Sequence, residues 1–195
     1  MVVHFRAEHH FDASPAEVAA ALLDARFYEA LELPDVGPAE LVAVGSADTA
    51  GNPHVDGRAG PVGTGATRAI VVRYEYMGGL DPLARGLLRV SRLTWTQTLR
   101  LGATGPDESS FVGSLEIDTE SSPSLLRARA VVHLEPSDAS PPGGSRTRRL
   151  IDGELVVSLA GVSLPGIGRM AERRIVPGVL RRLDVEAATL GRLLR

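Results

Sequence analysis

Residues 164–195, LPGIGRMAERRIVPGVLRRLDVEAATLGRLLR, decide the fold. Val176, Leu180, Leu183, Ala187, Leu190 and Leu194 recur at alternating spacings of four and three, which sets them along one face of a helix. Arg174, Arg181, Asp184 and Arg192 fall away from that face. At a rise of 1.5 Å per residue, about 25 helical residues reach about 37 Å, enough to cross a small domain. An apolar stripe of that length needs a wide apolar surface to cover it. Pro177 stands inside the stretch, removing a backbone donor and disfavouring helix at Val176, so the helix either kinks there or begins afresh at Pro177.

The surface for the helix to cover comes from strands upstream. Val3, Phe5, Ala7, His9 and Phe11 alternate with His4, Arg6, Glu8 and His10, the period-two pattern of a strand with one buried face. Ser14-Pro15-Ala16-Glu17 reads as a capping box with proline at the first helical position, opening a short helix that carries Val18 and Leu22 inward. A second short helix over residues 24–33 places Phe27 and Leu31 on one side and stops at Pro34. Residues 40–44 read as a short strand, and residues 45–65 as a long loop rich in glycine and proline. Tyr74 and Tyr76 share a strand face with Ile70 and Val72. Asp81-Pro82 then starts an amphipathic helix that ends near Val90. Strands follow with Trp95, Gln97, Leu99 and Leu101 on one face, then Phe111, Gly113, Leu115 and Ile117, then Ala128, Ala130, Val132 and Leu134. The last strand, over residues 146–159, turns Ile151, Leu155, Val157 and Leu159 inward.

A chain of 195 residues without an internal repeat or a linker fits one domain over residues 1–195. With 44% hydrophobic and 23% charged residues it has the composition of an ordinary globular chain. A net charge of −3 gives no footprint for nucleic acid or anionic lipid, and no segment approaches the ~18 apolar residues of a membrane span. The start of the chain lacks the pattern of a secretory leader, so the expected location is the cytoplasm. There is no cysteine, which removes disulfides, thiolate catalysis and sulfur-based zinc sites, and no lysine, which removes Schiff-base chemistry and a P-loop lysine.

The order of strand, two short helices, antiparallel strands and one long carboxy-terminal helix resembles the helix-grip fold of the START-like superfamily, an α+β architecture that includes the birch-pollen allergen family and polyketide cyclases. More narrowly, FDASPAEVAAALLD, LDPLARGLLR before RLTWTQTL, and DGELVVSL followed by LPGIGRMAERRI resemble an uncharacterised bacterial family of that superfamily. The resemblance implies a cavity between a concave sheet and the final helix, which in relatives holds lipids, sterols, polyketides or other apolar molecules.

Several motifs have plainer readings than the chemistry they suggest. Gly166, Gly168 and Ala171 fit G-x-G-x-x-A, yet no parallel strand follows, so turn and packing explain them better than a dinucleotide. The glycines of residues 60–67 are spaced as in a P-loop but Ala66 stands where lysine is required. Glu8, His9, His10 and Asp12 cluster metal-capable groups, but His9 and His10 point to opposite faces of a strand, so no metal and no cofactor is expected. The arginines at 146, 148, 149, 173 and 174 read most simply as solvated faces.

His9, on the face of Phe5 and Phe11, reads either as a satisfied core histidine or as a cavity group. Tyr74, Tyr76, Trp95 and Gln97 each bring a polar atom to an apolar face, as ligand pockets do, and core packing with backbone bonds is the even alternative. Small inward residues Ala7, Gly113, Ala128 and Ala130 leave room. The first reading is a protein that binds an apolar, lipid-like or polyketide-like molecule through Phe5, His9, Tyr74, Tyr76, Trp95, Gln97, Phe111, Ala130, Leu155, Val176 and Leu180. The second is a cyclase-like enzyme with His9, Tyr74 or Tyr76 as acid or base, and the third an interaction module whose helix face packs solidly, without a cavity. The sequence carries no signal for the oligomeric state.

Overall fold

Alternation at the amino terminus becomes strand β1 (Val2–Phe11), whose Phe5, Ala7 and Phe11 are buried while His4, Arg6, Glu8 and His10 face water. In this computed structural model the described residues are 2–46, 67–78, 93–104, 107–120, 126–137, 146–157 and 167–195. Helix α1 (Pro15–Leu22) opens on the capping box: the Ser14 hydroxyl accepts from the Glu17 N–H, and the Glu17 carboxylate accepts from the Ser14 N–H at 2.8 Å. Asp24 caps the short α2 (Ala25–Glu29) by accepting from Arg26 N–H, and α2 buries Phe27 and Tyr28.

Strands β2 (Glu40–Ser46), β3 (Arg68–Glu75), β4 (Thr94–Ala103), β5 (Phe111–Thr119), β6 (Leu126–Pro136) and β7 (Thr147–Val157) precede the long α3 (Ile167–Leu193). The seven strands form one antiparallel sheet in the order β1-β7-β6-β5-β4-β3-β2. Each strand from β2 to β7 pairs with its chain neighbour, while β1 closes on β7, with Val3 opposite Leu155 and His9 opposite Arg149. Strand β2 runs two residues past the expected end, to Ser46, with an irregularity between Leu41 and Ala43. The helix expected over residues 81–90, and the expected loop past Ser46, lie outside the described residues.

Helix α3 continues on both sides of Pro177 and spans 27 residues. Its Leu183 and Leu190 join the core with Phe5, Phe27, Tyr28, Tyr74, Leu99, Leu134, Ile151 and Leu155. One of its turns contacts strands well apart in the sheet. Asp184 meets His9 on β1, and Arg182 meets Gln97 on β4. Four strand spacings would hold β1 and β4 about 19 Å apart in a flat sheet. Contacts to both from one helical turn seat α3 across the inner face of the sheet, between β1 and β4.

Two glycines sit where strands crowd. A Cβ on Gly113 would run into the carbonyl of Arg100, whose carbon lies 2.7 Å away. One on Gly153 would meet Ala130 Cβ at 2.6 Å and the Phe5 ring at 2.8 Å. The expectation that Gly113 leaves open space is therefore corrected, since a neighbouring backbone closes in there, as the Phe5 ring does over Gly153.

Candidate functional site

Tyr74 and Trp95 are directly opposed across β3 and β4, so their side chains lie on one face. Their rings stack with centroids 5.6 Å apart and planes 20° from parallel. Arg182 of α3 lays its guanidinium over both, 4.5 Å from the Tyr74 centroid and 5.7 Å from that of Trp95. The same guanidinium donates to Gln97 Oε1 through Nη2 and to Glu186 Oε1 through Nε at 3.2 Å. Gln97 and Glu186 are buried at 3% and 4% exposure, and Arg182 and Glu186 are an i,i+4 pair on one face of α3. Burial pushes the Tyr74 phenol pKa up, against the pull of the Arg182 charge. The Tyr74 hydroxyl and the Trp95 indole N–H are both buried without a hydrogen-bond partner. The Arg182 guanidinium stands near enough to the phenol to oppose that rise in pKa as a neighbouring donor as well as by charge, while no pair meets hydrogen-bond geometry at Oη.

A second polar group sits where α3 meets β1 and β7. Arg149 is 2% exposed and projects from the inner face, on which Ile151 and Leu155 are also buried. The reading of Arg149 as part of a solvated face is corrected. Its neighbours Arg146 and Arg148 do lie at the surface, paired with Asp12 and Glu8. Arg149 Nη2 donates to His9 Nδ1 at 3.1 Å and to the Leu183 carbonyl at 3.3 Å, and its Nε has no partner. Because Nδ1 of His9 accepts, the His9 proton sits on Nε2 and is donated to Asp184 Oδ1 at 3.1 Å. Burial first, and the Arg149 charge second, pull the His9 pKa below its ordinary value, opposed by Asp184 and Glu186. Tyr28, whose hydroxyl donates to the Leu22 carbonyl at 3.0 Å, feels the charges of Glu186, Arg182 and Arg149 together. Both polar groups therefore converge on the turn of α3 from Arg182 to Glu186.

Of the residues singled out in the sequence, Tyr74, Trp95 and Gln97 are brought together under Arg182. His9 stands with Arg149 and Asp184. Phe5 and Ala130 close over Gly153, and Leu155 is fully buried. Tyr76 lies past the end of β3, bridged to Val36 and with its hydroxyl against Gly78. Phe111 lies on the same face as Leu134 and Ala103, both buried, yet is itself only half-buried; Ile117, beside Gln97 and Ala128, is the same. Trp95, Val176 and Leu180 share this partial exposure against the core. Arg149, Arg182 and Glu186 are the members missed in the sequence. Strand phase could have found Arg149, two residues before the inward Ile151. Among the described residues no cluster of His, Asp and Glu is arranged to hold a metal, and no helix is long and apolar enough to cross a membrane.

No family model matches the chain, and no curated protein matches it. Solved structures do match in fold. An aromatase/cyclase from Streptomyces sp. R1128 superposes with a TM-score of 0.55 at 16% identity, covering 100% of this chain and 97% of that chain. Norcoclaurine synthase from Thalictrum flavum gives 0.53 at 11% identity, over 99% of this chain and 86% of that one. A STAR-related lipid transfer protein from Xanthomonas axonopodis gives 0.52 at 16% identity, over 96% and 85%. At such identities the likeness is one of fold.

Proposed function

We propose, from a fold that is the helix grip of the START-like superfamily, that this protein encloses an apolar small molecule between the inner face of its sheet and α3. The observation that carries this reading is the stacked Tyr74–Trp95 pair. It stands on an apolar face, with a hydroxyl and an indole N–H buried and unpartnered. A folded chain rarely leaves such atoms orphaned, because each costs about 1–3 kcal/mol. A ligand lying across the pair would supply partners. The half-buried Trp95, Phe111, Ile117, Val176 and Leu180 support the same reading, since inward apolar side chains that remain partly exposed offer a surface still to be covered. The named activities of the fold neighbours, an aromatase/cyclase and a lipid transfer protein among them, accord with an apolar ligand.

Native mass spectrometry of freshly purified protein, beside the same sample denatured and extracted with organic solvent, tests the reading. A reproducible mass excess that leaves with the solvent is the expected result, and Trp95→Ala should reduce it. A clean apo mass, together with failure of fluorescent apolar probes to bind, would sink the proposal.

A further inference from the structure

Two independent features of the same site point to the chemistry of the molecule it takes, an inference that rests on the apolar-ligand reading and sharpens it. The first is a surplus of donors. The buried side-chain atoms left without partners among the described residues are Tyr74 Oη, Trp95 Nε1 and Arg149 Nε. Two of the three can only donate, and the phenol can donate. A ligand that satisfies them must bring acceptor oxygens.

The second feature is charge. Arg182 is matched by Glu186 at 3.2 Å. His9 is neutral, because its Nδ1 accepts from Arg149. Asp184 bonds His9 from the rim, its side chain 72% exposed and solvated. Arg149 is thus a buried guanidinium with no carboxylate within ion-pair distance among the described residues; its partners are an imidazole nitrogen and a carbonyl. A guanidinium does not shed its proton, and Glu186 and Asp184 act on this one only through space, so a buried charge is left without an anionic contact. An oxyanion brought in by the ligand would supply that contact.

We propose that the ligand is an amphipathic organic anion, a carboxylate on an apolar body. Its carboxylate oxygens accept from the unpartnered donors, Arg149 Nε first and the Tyr74 hydroxyl with it, and its apolar body lies against the faces of the Tyr74 and Trp95 rings. A neutral alcohol would satisfy one donor and leave the charge unmatched. An amphipathic cation would add a third positive charge beside Arg149 and Arg182.

The test compares three probes of one chain length: dodecanoate, dodecanol and dodecyltrimethylammonium. Binding to the whole protein is followed by calorimetry and by fluorescence of Trp95, the single tryptophan. Dodecanoate should bind about tenfold or more tighter than dodecanol, the scale of one charge-assisted hydrogen bond, and the cation should bind weakest. In Arg149→Gln the preference for acid over alcohol should fall to about parity, the tenfold advantage being the ion's alone. The wild-type ranking requires no variant and decides the sign even if Arg149→Gln does not fold. Equal binding of acid and alcohol, or tighter binding of the cation, overturns the anion inference and leaves the apolar reading standing. An Arg149→Gln protein that folds and keeps the full preference overturns the assignment to Arg149. No binding by any of the three overturns both readings.

Discussion

His9 ties protonation to folding through two contacts. Its Nδ1 accepts from Arg149, so a second proton on the ring would face a guanidinium instead of a lone pair. Burial, and then Arg149, hold its pKa below the ordinary 6.5. The unfolded chain takes up that proton near pH 6.5 while the folded chain resists it. Below that point the unfolded state binds more protons, and stability falls as pH drops. The midpoint of urea unfolding should therefore decline between about pH 7.5 and about pH 5.5, and His9→Gln should flatten that decline. Glu8, Glu17 and Asp24 do not confuse the result. Arg148, the Ser14 backbone and Arg26 respectively hold them below ordinary values of 4.5, 4.5 and 3.8, so their contributions are lost only at lower pH. A wild-type midpoint no more sensitive than that of His9→Gln would refute the neutral buried histidine. At this scale the sequence was half legible. Period-two counting puts His9 on the buried face and puts Arg149 on the face of Ile151, but a hydropathy reading assigns any arginine to water. Only the closure of β1 on β7 brings Arg149 under His9, and that pairing joins residues 140 apart in the chain.

The elements were more legible than their contacts, because each is written in local chemistry. Ser14, Pro15 and Glu17 announce α1, and alternation announces β1, β3 and β4. What no local pattern reveals is which glycine is a structural necessity. Gly113 lies against a backbone carbonyl of the adjacent strand, whereas Gly178 on α3 is exposed, with nothing within 4 Å of the point a Cβ would occupy. Gly113→Ala should cost about 3 kcal/mol or more, since strand β4 itself must move. Gly178→Ala should gain up to about 1 kcal/mol from helix propensity alone. Chemical denaturation of the two variants reads the contrast directly. Similar values for both would mean that the Arg100 carbonyl does not lie as close to Gly113 as the pairing of β4 and β5 places it.

Across the whole molecule, one turn of α3 holds the two flanks of the sheet, through Asp184 and Leu183 to β1 and β7 and through Arg182 to β4. The polar atoms it leaves unsatisfied couple ligand binding to global stability. A ligand held at about one hundred times its Kd adds about 2.7 kcal/mol to the folded state. In a chain of 195 residues that corresponds to a rise in Tm of about 5–10 °C. Tyr74→Phe separates the free and the loaded protein. Stripped of ligand, the variant loses a buried hydroxyl that has no partner, and should be more stable than wild type by about 1 kcal/mol. Loaded with dodecanoate, it lacks the donor that the ligand's oxygens would use, and should gain less than wild type by about 1 kcal/mol. Thermal melts of both proteins, stripped and loaded, should thus show Tyr74→Phe ahead when empty and losing that lead when full. A stripped variant that melts below wild type would mean that Tyr74 Oη is already satisfied in the free protein, and the phenol would drop out of the ligand's set of donors.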